Sequence, residues 1–194
     1  MKPELVTNSG RIINILNPNP EDFCLNDIAF GLSRQLRYNG MTVLPYTVAQ
    51  HSVIVSKLCI SPKAQIVAML HDASEAYLHD LPTPLKTILP DYCNIETRFQ
   101  DAIMEGILGG GFYETLKEAE EIDAEVKAAD RTALVHEVNS IVLHPEAYGL
   151  EKLPEILVIQ DLRERRIQTV DGALAYYRKH FTAVEQALNL QHTA

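Results

Sequence analysis

At 194 residues the chain is long enough for one well-buried domain and short for two. A hydrophobic fraction of 46% with 22% charged residues argues against long-range disorder, and a formal net charge of −9 argues against a general nucleic-acid binder, which carries a basic footprint. A small anionic substrate stays compatible, because a metal and a few local cations reverse the potential inside one pocket.

The first twenty residues, with Gly10 and the NPNP run, read as an extended, turn-rich opening without the continuous apolar stretch of a signal peptide. RIINIL is expected as a short strand with no obvious partner downstream. Asp27 is expected to cap a helix to about Arg37, with Ile28, Leu32 and Leu36 on one face and Asn39-Gly40 ending it. A second helix is predicted from Val48 to Leu58, after which Ser61-Pro62 resets the chain. A third runs from Ala64 to Leu78, and PLKTIL forms a short one after the LPTP breaker. The next opens at Asp91, with Ile95, Phe99, Ile103 and Ile107 repeating every four residues.

GGG at 109–111 is the strongest loop signal, followed by an acidic helix from about Glu114 to Val142, which Pro145 ends. Residues 162–190 supply one or two closing helices, broken near Val170-Asp171-Gly172. No run of 18 apolar residues exists, so no membrane span is expected. Cys24, Cys59 and Cys93 are far apart and form no CxxC pair, which suits a reducing cytoplasm rather than a disulfide framework. The reading is an all-α, single compact helical domain over residues 1–194, placed in the cytoplasm.

The informative segment is HDASEAYLHD, residues 71–80. On a helix, His71 and Glu75 are four apart and Asp72 and Glu75 three apart, so they share a flank that His79 extends. That flank follows the apolar run AQIVAML, and burying His, Asp and Glu is costly unless something neutralises them. A divalent cation does so, with imidazole nitrogen and carboxylate oxygen as its ligands. Two His-Asp pairs in one decapeptide compare with roughly 0.4 expected by chance in the whole chain. His51 in TVAQHSV and Asp130 in VKAADRTAL stand in two further helices beside apolar residues; a residue of either kind in such a place is, by itself, more often structural, as a satisfied core histidine is at His51.

In chain order these segments give H…HD…D, which resembles the HD superfamily of metal-dependent phosphohydrolases. The resemblance implies a divalent metal held by His51, His71, Asp72 and Asp130. TVAQHS, HDASEAYLHDLPTPLK and VKAADR, within about residues 25–140, are most similar to the subgroup of bacterial 5′-deoxynucleotidases and phage-encoded dATP triphosphohydrolases. By that resemblance Glu75 is a general acid or base beside the attacking water, Asp80 contributes to catalysis, and Lys86 touches substrate phosphate. An Arg-aromatic pair that contacts phosphate and sugar or base matches Arg37-Tyr38, fourteen before His51, with Arg34 as a rival for the phosphate. The family's usual Trp is replaced here by Tyr38, and its common Gly before the catalytic Asp by His79. Lys127, one turn before Asp130, is either a second phosphate contact or a solvated lysine.

The implied activity is metal-dependent hydrolysis of deoxynucleotide phosphates. The stretch DIAFGLSRQLRYNG…LPYTVAQHS looks like phage and prophage members, in which case the compartment is the host cytoplasm. That favours dATP as substrate, cleaved to deoxyadenosine and triphosphate or stepwise, with a 5′-deoxynucleotidase on monophosphates as the alternative. The Gly-Tyr-Pro element of cyclic-dinucleotide phosphodiesterases is absent, and Ala76 departs from the His-Asp-x-x-Glu-Asp of alarmone hydrolases. A non-catalytic nucleotide or metal sensor would be expected to lose a ligand or Glu75, and none is missing. The expected metal is Co, Mn or Zn, and the expected partners are a small deoxynucleotide and further copies of the chain. Neither a nucleic-acid polymer nor a membrane is among them.

Overall fold

The computed structural model describes residues 2–152 and 169–191. The architecture is all-α, with one two-stranded sheet at the start. Strand β1 (Glu4–Val6) pairs antiparallel with β2 (Ile12–Asn14), matching Leu5 to Ile13 across a turn in which Gly10 takes a φ of +84°. The partner of the expected strand lies upstream. Buried Ile13 ties this hairpin to the main core.

Helix α1 spans Leu25–Leu32 and stops well short of Arg37. The chain leaves it to form an isolated bridge between Leu36 and Thr47, with Arg37 N–H donating to the Tyr46 carbonyl. Asp27 sits inside α1 rather than capping it; its carboxylate accepts from the Ser9 amide (2.9 Å) and hydroxyl (2.6 Å) and so fixes the hairpin onto α1.

Helix α2 (Val48–Leu58) begins with a capping box between Thr47 and Gln50, each satisfying the other's backbone N–H. From Val48 to Ser56 it is buried throughout. A helix buried all round has to satisfy every polar side chain internally. Ser52 and Ser56 donate to the carbonyls of Val48 and Gln65, and Gln50 belongs to the cap. His51 remains, and its bonds belong to the site below.

Helix α3 (Pro62–Leu70) starts at the Ser61 cap with Pro62 in the first turn. It ends at Leu70. Residues 71–74 form turns, and helix α4 (Glu75–Leu78) is a separate single turn, so the expected continuous helix is broken at the His-Asp pair. Gly31 on α1 lets α4 approach closely: a Cβ there would come within 2.6 Å of the Ala76 carbonyl oxygen.

Helix α5 (Thr83–Lys86) is short, α6 spans Pro90–Leu108, and α7 runs from Leu116 to Ile141 after a cap by Thr115. Pro145 lies beyond the end of α7 and opens a 3-10 turn instead of stopping the helix. Helix α8 (Val170–Gln191) starts where a break was expected; residues 162–168 lie outside the described residues.

Helix α2 packs against α3, α7 and α8, and α8 also crosses α3. Val48, Ala49 and Val53 join one core cluster with Phe99, Ile103, Tyr177 and Phe181. Ile54 and Val55 join a second with Ile122, Val126, Ala129 and Ala133 of α7. Both faces of α2 are thus held, and His51 has a fixed backbone. Among the described residues no helix is long and apolar enough to cross a membrane.

Candidate metal centre

Three elements meet at one point. His51 comes from the first turn of α2, His71 and Asp72 from the turn after α3, and Asp130 from α7. His51 Nε2 stands 3.2 Å from His71 Nε2, 3.5 Å from Asp72 Oδ2 and 3.1 Å from Asp130 Oδ1. His71 Nε2 is 3.2 Å from Asp72 Oδ2 and 4.0 Å from Asp130 Oδ1. Burial is graded: His51 is fully buried, while the side chains of His71, Asp72 and Asp130 are 15%, 22% and 44% exposed, so the cluster opens to solvent on one side.

The tautomers follow from the far nitrogens. A carbonyl and a carboxylate only accept. His71 Nδ1 therefore donates to the Ala68 carbonyl (2.7 Å) and His51 Nδ1 donates to Glu137 Oε1 (2.6 Å), so in the neutral rings both Nε2 atoms carry lone pairs that face the two carboxylates. Four electron-rich atoms converging this closely need positive charge among them. Metal–ligand bonds of about 2.0–2.2 Å in a tetrahedral array put the ligand atoms roughly 3.3–3.6 Å apart. The separations of 3.1–3.5 Å around His51 are close to this; His51, His71 and Asp72 each offer a ligand atom within 4.8 Å of the others, whereas Asp130 stands beside His51 but outside that group of three, 4.0 Å from His71. The nitrogen and oxygen donors present suit a divalent transition metal.

Charge points the same way. Burial and Arg37 work against protonation of His51, yet Glu137 and Asp130 raise its pKa to about 9, so the carboxylates favour positive charge at this ring. Burial works to raise Asp72 and Asp130, but His71 and His51 hold Asp72 well below the carboxylate range, and His51 holds Asp130 below its ordinary value.

Glu75, at the start of α4, is 5% exposed, and its Oε2 is buried without a hydrogen-bond partner. Burial first, then the charges of Asp72 and Asp80, push its carboxyl up to about 9 against the pull of Lys86 and Arg37. Lys86 Nζ lies 3.6 Å from Glu75 Oε1 and 2.7 Å from Glu96 Oε1. Asp80 is half-buried, and its pKa is raised, chiefly by burial.

Arg37 and Arg34, the two arginines expected as rivals for phosphate, lie differently in the fold. Arg37 reaches the cluster, with one terminal nitrogen 3.5 Å from Asp72 Oδ2 and Nε 3.3 Å from Glu137 Oε2. Arg34 turns back on α1, bonding the Phe30 carbonyl and lying over the Phe30 ring. Tyr38 gives its hydroxyl to Glu137 Oε2 (2.8 Å) and sets its ring edge-on to Tyr148. It occupies a left-handed backbone position, φ +56°, as does Asn39 at +52°. Lys127 is largely exposed and pairs with Asp123 at 2.7 Å on the outer face of α7. His79 is exposed, bonds Gln35 and takes a φ of +70°, a backbone position that favours glycine.

Sequence reasoning missed Glu137. It is fully buried and accepts from His51, Arg37, Tyr38 and, at 2.8 Å, Tyr46. Burial alone would raise its pKa, but Arg37 and His51 bring it down to about 2. A signal was present: Glu137 follows Asp130 by seven residues, two helical turns, in the stripe that contains Val126 and Ala133.

No protein-family model matches the chain. It is similar to an uncharacterized protein of Rhodobacter capsulatus, 32% identical over 134 residues that span 62% of this chain and 68% of that protein. It is also similar to the uncharacterized protein YfdR of Escherichia coli K12, 40% identical over 99 residues, or 51% of this chain and 55% of YfdR. The chain thus spans about half the length of YfdR.

Proposed function

We propose that this chain, which belongs to the same family as the Rhodobacter capsulatus protein, is a metal-dependent phosphohydrolase acting on deoxynucleotides. The observation that carries the reading is the convergence of His51 Nε2, His71 Nε2, Asp72 Oδ2 and Asp130 Oδ1 from three separate elements, next to a buried carboxylate with a free oxygen. A divalent transition metal, if held by His51, His71 and Asp72 with Asp130 beside them, would supply Lewis-acid polarisation of a phosphoryl oxygen and ease ionisation of a water.

The protein's own groups do the rest. Glu75 Oε2 is positioned to orient a water, and its raised pKa suits it to act as a general acid that gives a proton to the leaving oxygen, because Oε1 alone is engaged by Lys86. Arg37 spends two of its five N–H donors on Asp72 and Glu137 and keeps the others for phosphate oxygens. Lys86, held between Glu75 and Glu96, adds a point charge on the same side. Asp80 contributes a second acid–base group. The resemblance of the DIAFGLSRQLRYNG…LPYTVAQHS stretch to phage and prophage members favours dATP, cleaved to deoxyadenosine and triphosphate or stepwise, over a 5′-deoxynucleotidase reaction on monophosphates. It also favours a homo-oligomer.

The test is incubation of the purified protein with each dNTP, dNMP and rNTP in the presence of Co²⁺, Mn²⁺ or Zn²⁺, with products resolved by chromatography. Loss of dATP with release of deoxyadenosine supports the triphosphohydrolase. Turnover confined to monophosphates moves the assignment to the 5′-deoxynucleotidase. No turnover from a folded, metal-loaded protein refutes the enzyme and leaves a sensor.

A further inference from the structure

Glu137 is the point at which two parts of the site are tied together. Its carboxylate sits at zero exposure on α7 and has a donor on every side: His51 Nδ1 and the Tyr46 hydroxyl on Oε1, the Tyr38 hydroxyl and Arg37 Nε on Oε2. A buried carboxylate is retained only when paired and hydrogen-bonded in this way. We infer that Glu137 is a positioning residue that fixes the His51 ring with Nε2 toward His71, Asp72 and Asp130, and at the same time braces the Arg37–Tyr38 arm. The inference rests on the metal-binding reading of the same cluster.

The geometry carries both halves. Because a carboxylate can only accept, the 2.6 Å contact places the His51 proton on Nδ1 and turns the lone pair of Nε2 to the ligand side. A carboxylate on the far nitrogen of a metal-ligating histidine holds its orientation and raises its basicity. On the other side, Tyr38 adopts a left-handed backbone that only its surroundings can enforce, and its bond to Glu137 is one of the contacts that do so. Arg37 is oriented by Nε on the same carboxylate, which leaves its terminal nitrogens toward Asp72. Glu137 thus acts through His51 and Arg37 without meeting substrate.

The experiment compares the full chain with Glu137→Gln and Tyr46→Phe. Zinc affinity is read by competition with a chromophoric chelator, inorganic triphosphate affinity by calorimetry at saturating zinc, and folding by circular dichroism. Glu137→Gln should weaken zinc binding about 10- to 100-fold and triphosphate binding several-fold, while Tyr46→Phe, which keeps the His51 bond, should weaken zinc binding less. Unchanged zinc affinity in folded Glu137→Gln overturns the inference, and unchanged triphosphate affinity overturns its second half. Should Glu137→Gln not fold, the imidazole ¹⁵N spectrum of the zinc-loaded wild type decides: His51 must keep its proton on Nδ1, and a proton on Nε2 overturns the proposal. A wild-type chain that takes up no zinc refutes the metal reading itself, and the inference with it, whatever the variant does.

Discussion

Replacing His79 by glycine should stabilise the protein. His79 closes α4 with φ +70° and ψ 152°, a combination open to glycine and strained for any residue with a Cβ. Such strain is worth about 1–3 kcal/mol. Against its relief stand the greater freedom of glycine in the unfolded chain, about 0.5–1 kcal/mol, and the loss of an exposed hydrogen bond to Gln35, about 0.5 kcal/mol. The balance is a gain of about 1 kcal/mol, which for a chain of this size raises the melting temperature by about 2–4 °C. His79→Ala is the control, since it loses the bond and keeps the Cβ. Thermal unfolding followed by circular dichroism separates the two. A glycine variant that melts at or below the wild type, or together with the alanine variant, refutes the reasoning.

Glu75→Gln should lower turnover by about 10²–10⁴-fold with zinc affinity little changed, measured by product chromatography and chelator competition; full activity would remove Glu75 from its role. Arg37→Ala leaves Glu137 fully buried with one partner fewer and should cost about 3 kcal/mol in urea unfolding; a loss below 1 kcal/mol would show the pair to be dispensable. Zinc at a hundredfold excess over its dissociation constant should add about 2.7 kcal/mol of stability, reversed by chelator; a melting point indifferent to both would count against the centre. Burial, then the charge of Glu125, pushes the Cys59 thiol up to about 12, so below that pH it stays neutral. At pH 8 its thiolate fraction is about one in ten thousand, and iodoacetamide should label Cys24 and Cys93 while sparing Cys59 until the protein unfolds. Equal labelling of all three would contradict this.

The sequence by itself determined the helical class, because periodicity and caps are local: Val48–Leu58 between Thr47 and Cys59, and the start at Ser61-Pro62, follow from residues within one turn of each boundary. It also singled out His51, His71, Asp72 and Asp130 as candidate ligands, through the resemblance of their H…HD…D order to a known family rather than through any local pattern. The tertiary structure alone decided how these meet. The flank expected from helical spacing is broken at Leu70, and His71 and Asp72 reach the cluster from a turn set by where α2 and α7 lie. Lys86 and Lys127 are alike as sequence, yet one is held against Glu75 and Glu96 and the other is left on the outer face of α7. Glu137 was legible as an acid on the apolar stripe of a helix; it is a buried acceptor because Arg37, Tyr38, Tyr46 and His51, 86 to 100 residues earlier in the chain, close around it. Desolvation and charge pairing depend on groups brought together across the fold, and no local pattern reports them.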